Sequence, residues 1–237
     1  SIAAHADGAC SQLLGPRGAG HYVKMIHNGI EYGIMEIIAE AYDLLTRGAG
    51  FDIEQVCGVF KDWNKGDLNS FLMEITEEVL RRRDQNTRKP FVKTILDRAK
   101  QKGTGKWTSQ NALDLGIPIP TLDAAVAARN LSALKEERVN AARILKSTRK
   151  SRRIGHALAS KLERGVLGSI VVTYAQGFHL MRAASHEYGY GIPFGEVARI
   201  WKGGCIIRAK LLDPIARAFK EDSELWNLMV HKEFAKT

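Results

Sequence analysis

The chain has 237 residues, enough for one large domain or two small ones, and its 45% hydrophobic and 26% charged residues are ordinary values for a soluble globular protein. The formal net charge of +9 is compatible with nucleic acid, anionic lipid, or a phosphorylated and carboxylated substrate as partner. Neither a transmembrane helix nor a signal peptide is predicted, because no uninterrupted apolar run reaches about 18 residues and no basic region opens the chain.

The three cysteines, Cys10, Cys57 and Cys205, are odd in number, lie far apart and form no C-x-x-C pair. This pattern argues against a disulfide framework or a zinc site, and it fits the reducing cytoplasm. We expect all three to behave as small buried hydrophobic residues.

Residues 1–19 are rich in alanine and glycine, with a turn signal at residues 15–18. We expect them to form a linker or the end of a domain that lies upstream. The absence of an initiator methionine fits a fragment of a longer protein.

A long helix is predicted next, over residues 19–46, because apolar residues recur on most of its faces. Its length and apolar character predict a buried, central helix that ends at the glycines of residues 48–50. A shorter helix follows over residues 53–63 with Asp52 as its N-cap. Residues 71–79 continue the apolar periodicity and end in a basic triplet.

Within the first long helix, Lys24, Asn28 and Glu31 are spaced i, i+4, i+7, and His27 lies beside them. At helical spacing these residues share one narrow stripe, which brings together an amine, an imidazole, an amide and a carboxylate. A site that acts on a polyhydroxy acid needs such groups. The alternative is a solvated helix face, but the apolar remaining faces of this helix disfavour it.

The middle of the chain is predicted to hold short helices around one loop. Residues 92–97 and 109–115 are expected to be helical, and residues 101–108 form a glycine-punctuated loop. This loop, which includes Lys102, could wrap an anion, although the same pattern is a common surface turn. A further helix runs over residues 121–131, contains Arg129, and continues as a solvated face at residues 135–138.

Two basic runs carry most of the excess charge, at residues 81–89 and 146–153. Both are interpreted as solvated loops or helix ends. No aromatic residues alternate with either run, which weakens the case for a single-strand binding surface.

A second long helix is predicted over residues 166–188, with a separate helix at 156–164 before it. A short helix at residues 196–201 and a final pair of helices complete the chain. No run of alternating residues predicts a strand, so the fold class is all-α. A weak repeat, over about 20–145 and 165–237, indicates two long buried central helices from an internal duplication, surrounded by shorter helices.

Eight segments resemble 6-phosphogluconate dehydrogenases, and together they extend over essentially the whole chain. They are HYVKMIHNGIEYG (21–33), DWNK (62–65), LNSFL (68–72), QKGTGKW (101–107), LS (131–132), LKEER (134–138), YAQG (174–177) and WKGGCIIR (201–208). The resemblance implies the helical substrate-binding and dimerisation domain of that family, here residues 20–237. In that family the helical domain itself looks like a duplication.

The resemblance also implies the chemistry. The family oxidises 6-phosphogluconate at its 3-hydroxyl with NADP, loses CO2 and releases ribulose 5-phosphate, as a step of the pentose phosphate pathway and of gluconate utilisation. Lys24 corresponds to the general base, which requires that part of its population be neutral. Glu31 corresponds to the acid that protonates the enediol, so the pKa of Glu31 should be raised.

Substrate-binding roles follow from the same resemblance. His27 and Asn28 match positions that hydrogen-bond the sugar acid, while Tyr32, Lys102 and Arg129 match positions that hold the 6-phosphate. Thr104 is a further candidate for the phosphate. The resemblance also implies a homodimer and a reaction that needs no metal.

The chain departs from the family pattern in several places. A dinucleotide fingerprint is not found, so the nucleotide-binding domain is expected to be missing, leaving at most edge contacts to NADP. The family's C-terminal tail is also expected to be missing, and the fragment alone is expected to be inactive. Tyr22 stands where phenylalanine is usual and Ile34 where an acidic residue is usual.

Two other functions remain open. One is the substrate domain of another β-hydroxyacid dehydrogenase that acts on an unphosphorylated acid. In that case Lys102 and Arg129 would have no reason to converge. The other is a basic helical module that binds nucleic acid, which would leave the Lys24–Glu31 stripe without a role.

Overall fold

The computed structural model describes residues 2–100, 102–145 and 157–235. Over these residues the fold is all-α, as predicted, with isolated bridges instead of strands. The helices are α1 (Ala19–Asp43), α2 (Ile53–Trp63), α3 (Phe71–Arg81), α4 (Thr104–Asp114), α5 (Pro120–Ala133), α6 (Lys135–Ile144), α7 (Ala157–Glu187), α8 (Phe194–Trp201) and α9 (Leu212–Glu221). In the described part of the chain, no helix combines the length and the hydropathy that a membrane span requires.

Helices α1 and α7 form the centre of the fold and make the most extensive contact between helices. Their backbones approach closely because glycines stand at the crossing. A Cβ atom on Gly33 would lie 2.7 Å from Thr173 Cγ2, and one on Gly177 would lie 2.5 Å from Ile30 Cδ1. Two long central helices were therefore predicted correctly.

The first helices follow the sequence signals closely. Helix α1 runs over Ala19–Asp43, continues as a π-helical turn over Leu44–Ala49, and is terminated by Gly50 in the left-handed conformation. Helix α2 has the predicted cap: Asp52 accepts a hydrogen bond from the Gln55 backbone, and the Gln55 side chain accepts one from the Asp52 backbone. These reciprocal bonds satisfy two donors at the helix start.

The prediction of a loop over residues 101–108 was wrong after Gly103. Helix α4 begins at Thr104, directly after Gly103, whose φ of 110° suits glycine. Tertiary packing explains the helix, because Thr108 is buried and its hydroxyl bonds the Met25 carbonyl of α1 at 3.2 Å. Helices α4 and α5 both pack against α1, on which the predicted site lies.

Other boundaries also differ from prediction. Residues 92–97 form no α-helix, only a 3-10 turn over Phe91–Lys93, and Ile95 and Leu96 are exposed instead of packed.

The two helices predicted over residues 156–188 are one continuous helix, α7. The expected final helix pair is α9 followed by a 3-10 turn over Leu228–Val230. Helix α5 does not continue through residue 138, because the backbone leaves the helical conformation at Leu134, before α6 begins.

The basic triplet at the end of α3 is a solvated helix end, as interpreted from the sequence. Arg81 and Arg82 pair with Glu78, and Arg83 pairs with Glu54 of α2. The second basic run, residues 146–153, lies outside the described residues. The thiols of Cys10, Cys57 and Cys205 are free and partly buried.

The segments that follow α2 and α8 meet each other. The Phe71 amide donates to the Arg208 carbonyl at 3.0 Å, and the Lys210 amide donates to the Asn69 carbonyl at 2.9 Å. Helix α2 packs on α3 as α8 packs on α9. The internal duplication stays a prediction.

The close crossing of α1 and α7 predicts opposite effects for two glycines of α7. Gly177→Ala places a methyl group against buried Ile30 and should lower the free energy of unfolding by about 1–3 kcal/mol. Gly168→Ala meets open space and should raise the free energy of unfolding by up to about 1 kcal/mol through helix propensity. Denaturant unfolding of both variants measures these changes. Equal effects of the two substitutions would contradict the crossing.

Candidate active site

The predicted polar stripe of α1 is a connected cluster in the structure. Lys24 Nζ lies 3.1 Å from His27 Nδ1, and the same Nδ1 lies 3.2 Å from Asn28 Oδ1. The carboxylate of Glu31 is 3.9 Å from this nitrogen. His27 is therefore the centre of the cluster, with the amine, the amide and the carboxylate around one ring nitrogen.

Burial differs sharply along the stripe. Lys24 is exposed, Glu31 is half-buried, and His27 is only 1% exposed. The stripe thus opens to solvent at its amine end and closes around the imidazole. A ligand can reach Lys24 without displacing any helix.

His27 is held in its neutral form. Burial, reinforced by the positive charge of Lys24, lowers the pKa of His27 from 6.5 to about 4, and the hydrogen bond with Asn28 opposes this only in part. Near neutral pH the ring carries a single proton. His27 can therefore orient or relay a proton, but it adds no charge to the site.

The position of the single ring proton determines which hydrogen bonds His27 Nδ1 can form. If Nδ1 carries the proton, it donates to Asn28 Oδ1, and a neutral Lys24 amine can approach it as an acceptor. If Nε2 carries the proton, Nδ1 accepts from the Lys24 ammonium. The tautomer of His27 thus decides whether Nδ1 donates to Asn28 or accepts from Lys24.

The second ring nitrogen of His27 has surroundings that differ from those of Nδ1. Its Nε2 atom is buried and has no hydrogen-bond partner among the described residues. The ring of Trp201, at the end of α8, packs edge-on against the imidazole with 5.5 Å between the ring centroids. Trp201 belongs to a motif noted in the sequence, but its spacing in the chain gave no signal that it would contact His27.

Glu31 has the perturbation expected of a proton donor. Burial raises the pKa of Glu31, and the positive charges of Lys24 and Arg129 oppose the shift without cancelling it. Glu31 therefore retains its proton to a higher pH than an exposed glutamate. The direction agrees with the expectation for an acid, whereas the catalytic role itself stays a prediction.

Helices α4 and α5 complete the other side of the site. The Asn28 amide donates to Thr104 Oγ1 at 3.1 Å, which ties the stripe to the first turn of α4. The guanidinium of Arg129 stacks on the ring of Tyr32, 4.0 Å from the centroid, and its position over Tyr32 leaves it partly exposed. Lys102 is exposed on the segment that enters α4.

The structure thus brings most of the predicted residues together. The four stripe residues connect to Thr104 through Asn28. Arg129 lies over Tyr32, and its positive charge opposes the rise in the pKa of Glu31. Lys102 lies two residues before Thr104 and is exposed. Residues that the sequence did not suggest include Trp201 behind His27 and Met35, whose sulfur lies 3.5 Å from Arg129 Nη2.

A pocket of about 1050 Å³ lies elsewhere in the described part of the chain, and none of the predicted site residues lines it. It is bordered by Arg182, Arg199, Asp213 and Lys220 around the ends of α7, α8 and α9. Its cations and carboxylates are mixed. The cluster on α1, with its shifted His27 and Glu31, is the better candidate for chemistry.

Comparison with known proteins gives a consistent result. Residues 20–237 match the family model described as 6-phosphogluconate dehydrogenase, C-terminal domain. The chain is 46% identical over 237 residues to the NADP(+)-dependent, decarboxylating 6-phosphogluconate dehydrogenase of Bacillus subtilis, covering 99% of the chain and 50% of that protein. It is 50% identical to the decarboxylating enzyme of Synechocystis, covering 97% of the chain and 48% of that protein.

A solved structure of Plasmodium falciparum 6-phosphogluconate dehydrogenase superposes with a TM-score of 0.93 at 40% identity, over 97% of the chain and 50% of that protein. That enzyme was solved as the apo form, with its cofactor NADP+ and with its substrate 6-phosphogluconate. The chain spans about half the length of the curated relatives it matches.

The buried, neutral state of His27 predicts a specific pH dependence of stability. Between pH 4 and 6.5 the unfolded chain binds a proton at this residue that the folded chain does not, so stability falls as the pH is lowered through this window. The full effect is about 3 kcal/mol. Denaturant unfolding at several pH values should show that His27→Gln loses this dependence.

The control replaces the exposed His186 of α7 with glutamine under the same conditions. Parallel pH curves for the wild-type chain and His27→Gln would contradict the buried neutral imidazole.

Proposed function

The chain belongs to the 6-phosphogluconate dehydrogenase family, as its C-terminal domain, and we propose that it forms the substrate domain of an NADP-dependent, decarboxylating enzyme. The reaction is the oxidation of 6-phosphogluconate at its 3-hydroxyl, loss of CO2, and release of ribulose 5-phosphate, a step of the pentose phosphate pathway and of gluconate utilisation. The observation that carries this proposal is the cluster of Lys24, Asn28 and Glu31 around a neutral His27.

Lys24 acts as the general base. It is exposed and therefore accessible to the substrate hydroxyl, and the tautomer of His27 with a proton on Nδ1 is compatible with its neutral amine. Once Lys24 has taken the hydroxyl proton, its ammonium lies where it can polarise the 3-keto oxygen. This charge assists the loss of CO2, because electrons move toward that oxygen.

Glu31 acts as the general acid. Loss of CO2 leaves an enediol, and a carbon of this enediol must be protonated to give the ketose. The raised pKa of Glu31 supports this role, since the carboxyl group holds a proton at a pH where ordinary glutamate has lost it. Lys24 and Glu31 are two helical turns apart, roughly 10 Å along the axis, with His27 and Asn28 between them to bind the sugar acid.

Tyr32, Lys102 and Arg129 hold the 6-phosphate, with Thr104 beside them. Arg129 lies over the Tyr32 ring and is partly exposed, and its planar guanidinium suits a phosphate that accepts two hydrogen bonds. Thr104 and Lys102 approach from the start of α4. This basic end of the site favours a phosphorylated acid over the unphosphorylated acid of other β-hydroxyacid dehydrogenases.

NADP supplies the chemistry of hydride acceptance when it is bound. The described residues do not provide a dinucleotide seat of the usual kind, because the glycines at residues 15–20 enter α1 with no strand before them. We therefore place the main NADP seat outside these 237 residues. The 237-residue chain alone is then expected not to form ribulose 5-phosphate.

A homodimer is proposed from an uncovered apolar surface. Helix α6 has no buried residue in the chain, and Leu131 and Ile144 are 58% and 79% exposed. Leu134 and Leu145, which flank α6, are also exposed. A second copy that covers these side chains would bury them, and a cytoplasmic location is proposed for the assembly.

The proton roles predict large losses of turnover with binding retained. In the complete protein, Lys24→Met and Glu31→Gln should each lower kcat by roughly a hundredfold to ten-thousandfold, since each removes a positioned proton carrier. Steady-state kinetics and equilibrium binding of 6-phosphogluconate measure the two effects separately. Glu36→Gln, which changes another half-buried carboxyl of α1, is the matched control.

Wild-type kcat in either variant would refute the assigned role. A loss of the same size in Glu36→Gln would show that any carboxyl of α1 has this effect.

The proposed dimer predicts a change of assembly state. The complete protein should be a dimer in light scattering, and Ile144→Asp should shift it toward the monomer, because a buried carboxylate would disrupt the apolar interface. Leu13→Asp is the control, since Leu13 is 84% exposed but lies far from α6 in the chain. A wild-type monomer at every concentration would exclude the proposal.

A further inference from the structure

Arg138 of α6 clasps the chain segment that leads to Lys102. Its Nη2 atom donates to the Asp97 carbonyl at 2.7 Å and to the Ser132 carbonyl at 3.1 Å. Its Nη1 atom reaches the Asp97 carboxylate at 3.4 Å. One guanidinium thus joins the segment before α4 to the end of α5.

Other contacts support the same clasp. Lys135 pairs with the Asp97 carboxylate. The Ala99 amide donates to Ser132 Oγ at 2.9 Å, and Arg129 Nη1 donates to the Lys100 carbonyl at 3.4 Å. Residues 97–100 contain no helix, so these bonds determine where the segment runs.

The placement of Arg138 differs from that of an ordinary surface ion pair. Its side chain is 29% exposed, and its Nε atom is buried without a hydrogen-bond partner in the described residues. Leaving a charged group partly desolvated costs free energy. The contacts with residues 97 and 132 offset that cost and hold the segment against α5.

Lys102 depends on this segment for its position. It lies two residues beyond Lys100, and two residues of chain span at most about 7 Å. On its other side, Thr104 is fixed by the hydrogen bond from Asn28. Lys102 thus lies between residues 97–100, which Arg138 holds, and the start of α4. Arg129 also contacts residues 97–100, through the Lys100 carbonyl.

We propose that Arg138 is a positioning residue for the phosphate end of the site. Through Asp97 and Ser132 it sets the path of the chain that carries Lys102 and the carbonyl that Arg129 contacts. This inference rests on the proposed function, because it takes Lys102 and Arg129 as the phosphate ligands. Arg138 touches no reacting atom, and the proton-transfer residues lie on a different helix.

The test is Arg138→Gln in the complete protein. KM for 6-phosphogluconate should rise about tenfold, the factor that corresponds to losing one charged hydrogen bond, and kcat should stay within about twofold. Inorganic phosphate and gluconate are then measured as competitive inhibitors. The inhibition constant of phosphate should rise with KM, whereas that of gluconate, which has no phosphate, should stay near its wild-type value.

Arg217→Gln is the matched control. It removes an equally charged guanidinium that makes two contacts with Glu233, at 3.1 and 2.9 Å, away from the site. Its KM and both inhibition constants should equal those of the wild-type protein. Asp97→Asn, at an exposed carboxylate, weakens the same clasp with little risk to folding and should raise KM in the same direction.

Each other outcome overturns the inference. Unchanged KM in both Arg138→Gln and Asp97→Asn would show that the clasp does not position the phosphate ligands. Equal rises in the inhibition constants of phosphate and gluconate would indicate a general structural role. If the wild-type protein neither binds nor oxidises 6-phosphogluconate, the proposed function fails first and the inference fails with it.

Discussion

The burial of α1 is the constraint on which the rest of the structure depends. Helix α7 packs on one side of it, and α4 and α5 pack on the others. Gly33 and Gly177 allow the closest of these approaches, because any side chain there would meet a buried neighbour. Only one stripe of α1 remains uncovered. Its polar residues are therefore held by a rigid, buried helix instead of a loop, as a site that moves protons requires.

Burial also sets the proton chemistry of this stripe. Burial on the same helix lowers the pKa of His27 and raises the pKa of Glu31, because desolvation disfavours the charged form of each group. Exposure thus differs among the three residues, because Lys24 is exposed, His27 is buried and Glu31 lies between these extremes.

The sequence predicted the all-α class, both central helices and the polar stripe, because these depend on local periodicity. It failed where distant contacts decide the structure. Residues 104–108 contain a glycine and polar side chains typical of a loop, yet the bond from Thr108 to Met25 stabilises a helix there. The stack of Arg129 on Tyr32 joins residues far apart in the chain, so only the family resemblance could place Arg129 in the site. No local pattern could place Trp201 behind His27.

In the proposed function, Arg129 connects the phosphate end of the site to Glu31. Its positive charge favours the ionised form of Glu31 and so opposes the effect of burial on that pKa. A phosphate dianion bound at Arg129 would neutralise this charge. Since the opposing influence would then weaken while burial remained, Glu31 would hold its proton more firmly in the substrate complex than in the free protein. In the proposed function, occupation of the phosphate end would thus favour the protonated form of Glu31, through a charge carried by α5 that acts on a carboxyl of α1.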